Sequence, residues 1–173
     1  AIGEGLGMGR RIETDLTLDR SAEPIFIKDS LTVIAVPVYA GRVAPVALER
    51  IERLKGENSP VILVALYGNR DYEDALVELR DTVIARRFVP LSAGAFVGEH
   101  SYSRENMPIA EGRPDTKDID EAVMFGRKSL EKLSKVSALT EIYPFYIKGN
   151  VPYRAVGPSA PAAPVVLEES CAV

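Results

Sequence analysis

The sequence predicts an α/β fold built on a parallel sheet, because short apolar runs alternate along the chain with segments of helical periodicity. The runs 31–37 and 61–66 are apolar and partly β-branched, which is typical of strands buried on both faces. A third run, 88–97, is predicted as another strand, either continuous or broken near Gly94. A strand–helix order of this kind is typical of βαβ units, whose strands lie parallel.

Three helices are predicted between and after these strands. Ala44-Pro45 opens the first, since proline suits a first helical position, and the segment 56–60 ends it. Asp71 is the predicted N-cap of a helix that runs through Arg87, and Asp115 is the predicted cap of the last helix. The apolar positions at helical spacing are Ala44, Ala47, Leu48, Ile51 and Leu54, then Ala75, Leu76, Leu79, Val83 and Ile84, then Ile119, Ala122, Val123, Gly126, Leu130 and Leu133.

The flanking segments are more irregular. Residues 1–9 are rich in glycine, but their spacing does not match G-x-G-x-x-G, so a helix end closed by glycine is predicted there rather than a phosphate loop. The segment 11–16 is predicted as a short strand and 17–29 as a loop. Five prolines between 141 and 165 predict either an extended tail that lies on the body of the protein or a linker. The expected organisation is a domain over 1–140 and a tail over 141–173.

Composition narrows the class of protein. A length of 173 residues, 46% of them hydrophobic and 27% charged, is typical of one globular domain. The net charge of −4 argues against a nucleic-acid partner. No apolar run approaches the roughly 20 residues that cross a bilayer, so no membrane association is expected. A single cysteine, Cys171, excludes an internal disulfide, and a cytoplasmic location is expected.

Two similar loops follow the first two predicted strands. Segment 37–42 contains Tyr39, and segment 67–72 contains Tyr67. Ligands of open α/β sheets bind at the carboxyl ends of the strands, so one flat ligand held between both loops is the favoured interpretation. The tyrosine rings could lie against it, the glycines could let the backbone approach, and Arg42 and Arg70 could contact a phosphate or a negatively charged ring. The alternative is that the tyrosines only cap the sheet and the glycines only turn the chain.

A third segment, 98–103, follows the next strand and contains His100, the only histidine. Glu99, His100 and Ser101 do not predict a hydrolase, since neighbouring residues point to opposite sides and no G-x-S-x-G motif is present. A hydrogen-bonding role in the ligand loop and plain loop structure both remain open for His100. Arg113 could reach the ligand or pair with Glu99. No residue is predicted to act as a general acid or base.

Four motifs in order resemble a known family: 36–42 (VPVYAGR), 67–72 (YGNRDY), 94–101 (GAFVGEHS) and 112–115 (GRPD). The chain resembles the flavodoxin-like half of flavodoxin–ferredoxin fusion proteins of anaerobic microbes, called the EFR family. The resemblance implies a flavodoxin-like, three-layer α/β fold with a doubly wound parallel sheet. It also implies binding of FMN by Pro37, Val38, Tyr39, Ala40, Gly41, Arg42, Tyr67, Gly68, Asn69, Asp71 and Tyr72, with Gly98, Glu99 and His100 as a third segment.

The resemblance further implies an electron carrier rather than a catalyst with its own acid and base residues, with redox proteins as its partners. Two 4Fe-4S clusters follow the flavodoxin part in such proteins, and Cys171 resembles the first cysteine of their motif. It would bind iron only if a longer chain supplied the other cysteines, because one thiolate does not hold a cluster.

The chain departs from this family at its start. It has no S-x-T-G-N/T-T phosphate loop, and residues 1–7 resemble the end of the helix that follows that loop. A sheet lacking its first strand is therefore expected, with an unpaired slot. Either the sequence is a fragment, or a partner strand or a second copy in a homodimer fills the slot. Loss of the phosphate site would weaken FMN binding. The alternatives are a flavin-free interaction scaffold and a quinone-reductase-like flavoenzyme, for which no specific residues are found.

Overall fold

The computed structural model describes residues 1–7, 9–17, 21, 23–57, 59–155 and 157. The chain is a mixed α/β protein, as predicted. Its strands are β1 (Ile25–Ile27), β2 (Thr32–Tyr39), β3 (Arg42–Val43), β4 (Leu54–Gly56), β5 (Pro60–Tyr67) and β6 (Val89–Val97). Its helices are α1 (Ile2–Leu6), α2 (Pro45–Ile51), α3 (Ala75–Ala85) and α4 (Thr116–Ser134), followed by a 3₁₀ turn at Leu139–Glu141.

The main sheet has the strand order β3-β2-β5-β6. Strands β2, β5 and β6 are parallel, and only the two-residue β3 runs antiparallel to its neighbour β2. The β2–β5 register runs from Thr32 opposite Val61 to Pro37 opposite Leu66. The first two predicted strands are therefore direct neighbours, and their carboxyl ends lie at the same edge of the sheet.

Helices cover the sheet on both faces, which gives three layers. On one face Val61, Leu63 and Ala65 of β5 pack with residues of α2 and α3. On the other face Ile62 and Val64 pack with residues of α1 and α4. This alternation follows from the period of two in a strand. It confirms that β5 is buried on both faces.

Strand β2 is buried on one face only, which corrects the prediction made for it. Ile34 and Val36 are buried in the core beneath α2 and α3, whereas Val33, Ala35 and Pro37 on the opposite face are exposed. In the described part of the chain, β3 pairs with the end of β2 at Val38 and Tyr39, and no strand pairs with the earlier part of that edge.

Besides β3, two short strands form where none was predicted. Strand β1 lies inside the predicted loop 17–29 and pairs in parallel with β4, so that Ile25 is opposite Leu54. Leu54 was expected on the first helix, but α2 ends at Ile51 because the chain then extends to form β4. The predicted strand 11–16 is absent, and those residues have no regular structure.

Two details of the α3 region also differ from prediction. The cap is Asp74 rather than Asp71, because the Asp71 carboxylate accepts the backbone N–H of Glu73 and closes a turn before the helix. Ile84 is 51% exposed instead of buried.

Strand β6 is continuous through Gly94, and its irregularity lies earlier, opposite the Val61/Ile62 step.

The start of α4 and the end of α1 lie where they were predicted. Asp115 caps α4 through a capping box with Asp118, and Gly7 ends α1 in the left-handed conformation with φ 58°. The two helices pack closely: a Cβ added at Gly5 would lie only 2.0 Å from the carbonyl oxygen of Val123.

Every helix in the described ranges is too short or too polar to cross a bilayer.

Candidate functional site

The first loop of the site is a β-hairpin turn rather than an open ligand loop. Tyr39 pairs with Arg42, and the two residues between them, Ala40 and Gly41, have φ of 50° and 78°. Positive φ at both central residues defines a type I′ turn, which matches the twist of the flanking strands. The chain therefore turns back on itself at the carboxyl end of β2.

The second loop follows β5 and bends at Asn69, whose φ is 60°. The ring of Tyr67 meets the ring of Tyr72 edge to face, with centroids 5.6 Å apart. Gly41 of the hairpin lies against this loop, since a Cβ there would be 2.5 Å from a carboxylate oxygen of Glu73. Glycine at position 41 thus permits both the turn and the close contact of the two loops.

The third segment follows β6 and is bonded to the second loop. The backbone N–H of Gly98 donates to the carbonyl of Tyr67 at 2.9 Å. The His100 ring packs so closely on Gly68 that a Cβ there would lie 2.3 Å from its Cδ2. His100 Nδ1 accepts the backbone N–H of Tyr102 at 3.0 Å. The His100 ring is therefore held against Gly68 of the second loop by packing, and a hydrogen bond within the third segment fixes its orientation.

These three segments enclose a cleft of about 80 Å³ at the carboxyl edge of the sheet. Its lining combines backbone from both turns with aromatic and charged side chains: Val38, Ala40, Gly41, Tyr67, Gly68, Arg70, Asp71 and His100. Seven of these eight residues are among the predicted ring contacts, and Arg70 was a predicted phosphate contact. We call this the strand-end cleft.

The other predicted ring contacts lie around the cleft but do not line it: Pro37, Tyr39, Arg42, Asn69, Tyr72, Gly98 and Glu99. Tyr39 is 64% exposed. Because Pro37 is opposite Leu66, the alternation of side chains sends Tyr39 and Tyr67 to opposite faces of the sheet. The Tyr39 and Tyr67 rings therefore lie on different faces of the sheet and do not face each other.

Arg42 is held by protein groups instead of facing the cleft. Its guanidinium forms a two-pronged ion pair with Glu78 and donates to the carbonyl of Arg154 at 3.0 Å. The same group lies 4.6 Å from the centroid of the Tyr153 ring. The buried Glu78 carboxylate also accepts the N–H of Val43 and raises the pKa of Arg42. Arg42 thus joins β3 to α3.

Asp71 carries the negative charge at the rim of the cleft. Lys148 donates to both of its carboxylate oxygens, at 2.9 and 2.8 Å. This contact, together with the N–H of Glu73, holds the pKa of Asp71 below its ordinary value. Arg70, which also lines the cleft, pairs with Glu73 at 3.2 Å. The rim therefore carries two ion pairs, Asp71 with Lys148 and Arg70 with Glu73.

A segment from the far end of the chain lies behind the second loop. We call residues 148–154 the strap. Together with the loop, it encloses a second cavity of about 440 Å³, lined by Asp71, Glu73, Tyr146, Lys148, Asn150 and Arg154, among others. These particular contacts could not be predicted from the sequence, since the bonded residues are 76 to 81 positions apart. A basic residue followed by Gly149-Asn150 is too weak a signal to identify them.

Two further predictions concern the partner of Arg113 and the binding of a metal. The Arg113 side chain does not form an ion pair with Glu99, because its guanidinium binds the carboxylate of Asp118, whose pKa falls to about 2. The two residues meet through the backbone instead, where the N–H of Glu99 donates to the carbonyl of Arg113 at 2.9 Å. Within the described residues, no three His, Cys, Asp or Glu side chains are grouped to hold a metal ion. Cys171 lies outside the described residues, so its role as a cluster ligand stays a prediction.

Comparison with known proteins adds no assignment. No protein-family model matches the chain, and no curated protein matches it. The resemblance to the flavodoxin part of flavodoxin–ferredoxin fusion proteins therefore depends on the four sequence motifs alone.

Proposed function

We propose that this chain binds the flat ring system of FMN at the strand-end cleft and acts as an electron-transfer module for redox partner proteins. The observation that carries the proposal is the convergence of three segments at the carboxyl edge of a parallel sheet. Open α/β sheets bind ligands at that edge. Bound FMN would supply the redox chemistry, and the protein would supply orientation and electrostatics.

The chemistry of the lining suits the edge of a planar heterocycle. Ala40, Gly41 and Gly68 bring main-chain N–H and C=O groups to the cleft, and glycine lets a ligand approach that backbone. Tyr67 and His100 add aromatic surface. Arg70 adds a cation that would stabilise negative charge on the ring, and the ion-paired Asp71 would add little net charge.

The size of the cleft limits how much of the cofactor it can hold. Its volume of about 80 Å³ is well below the roughly 300–1,000 Å³ of pockets that enclose a drug-sized ligand. The cleft suits one edge of the ring, and the rest of FMN would lie at the surface. The start of α4 is already occupied by the Asp115 carboxylate, which accepts the backbone N–H of Asp118. The Asp74 carboxylate lies at the start of α3 and accepts N–H groups of Asn150 and Arg154 instead of helix N–H groups. Both negative charges would repel a phosphate.

This fit makes the proposal testable by titration. Adding the full chain to FMN should quench flavin fluorescence and give a yellow protein. Riboflavin should bind with an affinity close to that of FMN, because the cleft contacts the ring rather than the phosphate. FMN fluorescence that does not change on mixing would contradict the proposal. Reoxidation of the reduced, flavin-loaded protein by a one-electron acceptor such as cytochrome c would then test electron transfer.

A matched pair of variants locates the binding site. Gly68→Ala places a methyl group where the His100 ring lies, so it should abolish flavin binding. Gly9→Ala has nothing within 4 Å of the added group and should bind flavin normally. Equal binding by the two variants would place the flavin elsewhere on the protein.

The small volume of the cleft also favours a second candidate, a scaffold that binds other proteins and no flavin. Exposed aromatic side chains around the strap and the third segment, such as Tyr102, Tyr143 and Tyr146, would suit such contacts. A colourless protein that binds neither FMN nor riboflavin would support this candidate over the first.

A further inference from the structure

The strap is attached to the loops of the strand-end cleft through a fully buried carboxylate. Asp74 is 0% exposed, and its two oxygens accept three N–H groups of the strap. Asn150 donates its backbone N–H at 2.7 Å and its side-chain amide at 2.9 Å, and Arg154 donates its backbone N–H at 2.7 Å. Hydrogen bonds to a buried ionised group are among the stronger ones in proteins.

Asp74 also connects the strap to the hairpin turn. Its backbone N–H donates to the carbonyl of Gly41 at 2.8 Å. One residue therefore contacts the strap through its side chain and the β2–β3 turn through its main chain. If the strap moved away from Asp74, Asp74 would be held less firmly, and so would the β2–β3 turn that its backbone contacts.

Two ion pairs attach the strap to the second loop. Lys148 binds Asp71, which lines the cleft, and Arg154 binds Glu73 at 3.0 Å. Glu73 is the residue that packs against Gly41 of the hairpin. The strap thus contacts both loops of the cleft without lining the cleft itself.

The geometry points to a positioning role for the strap: Asn150 fixes Asp74, and Lys148 fixes Asp71, so that both loops keep the spacing that a planar ligand requires. Neither residue touches the cleft, so both are positioning residues. The part of this inference that concerns ligand affinity rests on the flavin-binding function proposed above. The part that concerns loop order does not, because it can be measured in the protein without any ligand.

Hydrogen exchange of the full chain, without flavin, measures the order of the loops directly. Asn150→Ala removes one hydrogen bond to the buried carboxylate, so exchange in segments 38–43 and 67–74 should become at least about tenfold faster. Lys148→Met removes a half-exposed ion pair, so exchange in segment 67–74 should become about two- to fivefold faster. Lys148→Arg should restore the original rate. Unchanged exchange in folded Asn150→Ala protein would overturn the inference.

Lys148→Met keeps the inference testable if Asn150→Ala fails to fold, because a surface ion pair contributes little to stability. Its matched control is Lys128→Met, which changes an exposed lysine of α4 and should leave exchange in both loops unchanged. Equal exchange rates in the Lys148 and Lys128 variants would also overturn the inference.

Titration with riboflavin then separates this inference from the proposed function. If flavin binds, Lys148→Met should weaken binding about two- to fivefold and Lys148→Arg should restore it. The Lys148→Met protein should also bind flavin with a different pH profile. That variant would lose the contact with Lys148 that lowers the pKa of Asp71, while the side chains of Arg70, His100 and Glu73 near Asp71 stay in place. If no form of the protein binds flavin but exchange responds as described, the strap holds the loops and only the flavin proposal fails.

Discussion

Replacing Asp74 by asparagine exchanges one carboxylate oxygen for an NH₂ group at a fully buried point of the contact between the strap and α3. The carboxylate accepts three N–H groups from Asn150 and Arg154, and all three distances lie between 2.7 and 2.9 Å. An amide keeps one oxygen acceptor and replaces the other with an NH₂ group. In Asp74→Asn protein, that NH₂ would face a backbone N–H that has no other acceptor.

The expected loss follows from these contacts. At least one hydrogen bond to a charged acceptor disappears, which is worth about 1.5–3 kcal/mol, and a buried donor loses its partner at a further cost of about 1–3 kcal/mol. Relaxation of the strap offsets part of this cost, so we expect the free energy of unfolding to fall by about 3 kcal/mol. That is a large fraction of the roughly 5–15 kcal/mol by which a domain is stable.

Urea unfolding followed by circular dichroism measures this loss, and hydrogen exchange shows whether residues 148–154 are affected most. The matched control is Asp120→Asn, which makes the same change at an exposed position of α4 and should alter stability by less than about 0.5 kcal/mol. The reasoning is refuted if Asp74→Asn lowers the free energy of unfolding by less than about 1 kcal/mol and leaves strap exchange unchanged.

Three other outcomes are expected from the same region. Gly149→Ala should destabilise the protein by about 1–3 kcal/mol in urea unfolding, because φ is 150° and the added Cβ would lie 2.3 Å from a side-chain carbon of α3. A fall in the free energy of unfolding no larger than that of Gly9→Ala would contradict this. Stability should fall as the pH drops below about 4, because backbone N–H donors hold the pKa of Asp74 below its ordinary value of 3.8. In Asp74→Asn protein that acid dependence should be smaller, and an identical pH profile of thermal unfolding would contradict the assignment. Tyr153→Phe removes the 2.6 Å hydrogen bond to Asp81 and should cost about 0.5–1.5 kcal/mol. Burial raises the pKa of Tyr153 to about 12; wild-type protein should therefore lose stability above about pH 10 more steeply than the variant, and parallel alkaline unfolding curves would exclude this.

The elements that sequence predicts well are those specified by local pattern. Strand β5 is an uninterrupted apolar run, and α4 begins at Asp115 with a complete capping box. In both cases the side chains within one short window supply the reason for the structure. The parallel pairing of β2 with β5 could also be expected, because consecutive strands joined by a helical crossover are usually neighbours in the sheet.

The missed elements depend on residues distant in the chain. Strands β1 and β4 have three residues each, and each exists only because the other lies beside it. Strand β3 was missed because Ala40-Gly41 lacks the Asn or Asp that usually marks a type I′ turn. Short runs of this kind have no periodicity from which a strand can be recognised.

The residues of the candidate site also fall into a group that the sequence predicts and a group that depends on distant contacts. The residues that line the strand-end cleft could be predicted, because a parallel sheet brings the ends of neighbouring strands together. The partners of Arg42 and Asp71 could not, since Glu78 and Lys148 look like ordinary charged residues on the surface of a helix and a tail. Their positions depend on how the strap crosses α3, which is a property of the whole fold.

The strap also determines when the site can be completed as the protein is made. The ribosome synthesises a chain from its amino end, so the hairpin and the second loop emerge long before Asn150 and Arg154. Contacts between residues 76 to 81 positions apart also require a long loop to close, which costs conformational entropy before any bond compensates for it. The contacts that the strap makes with both loops can therefore form only after residues 148–154 have left the ribosome.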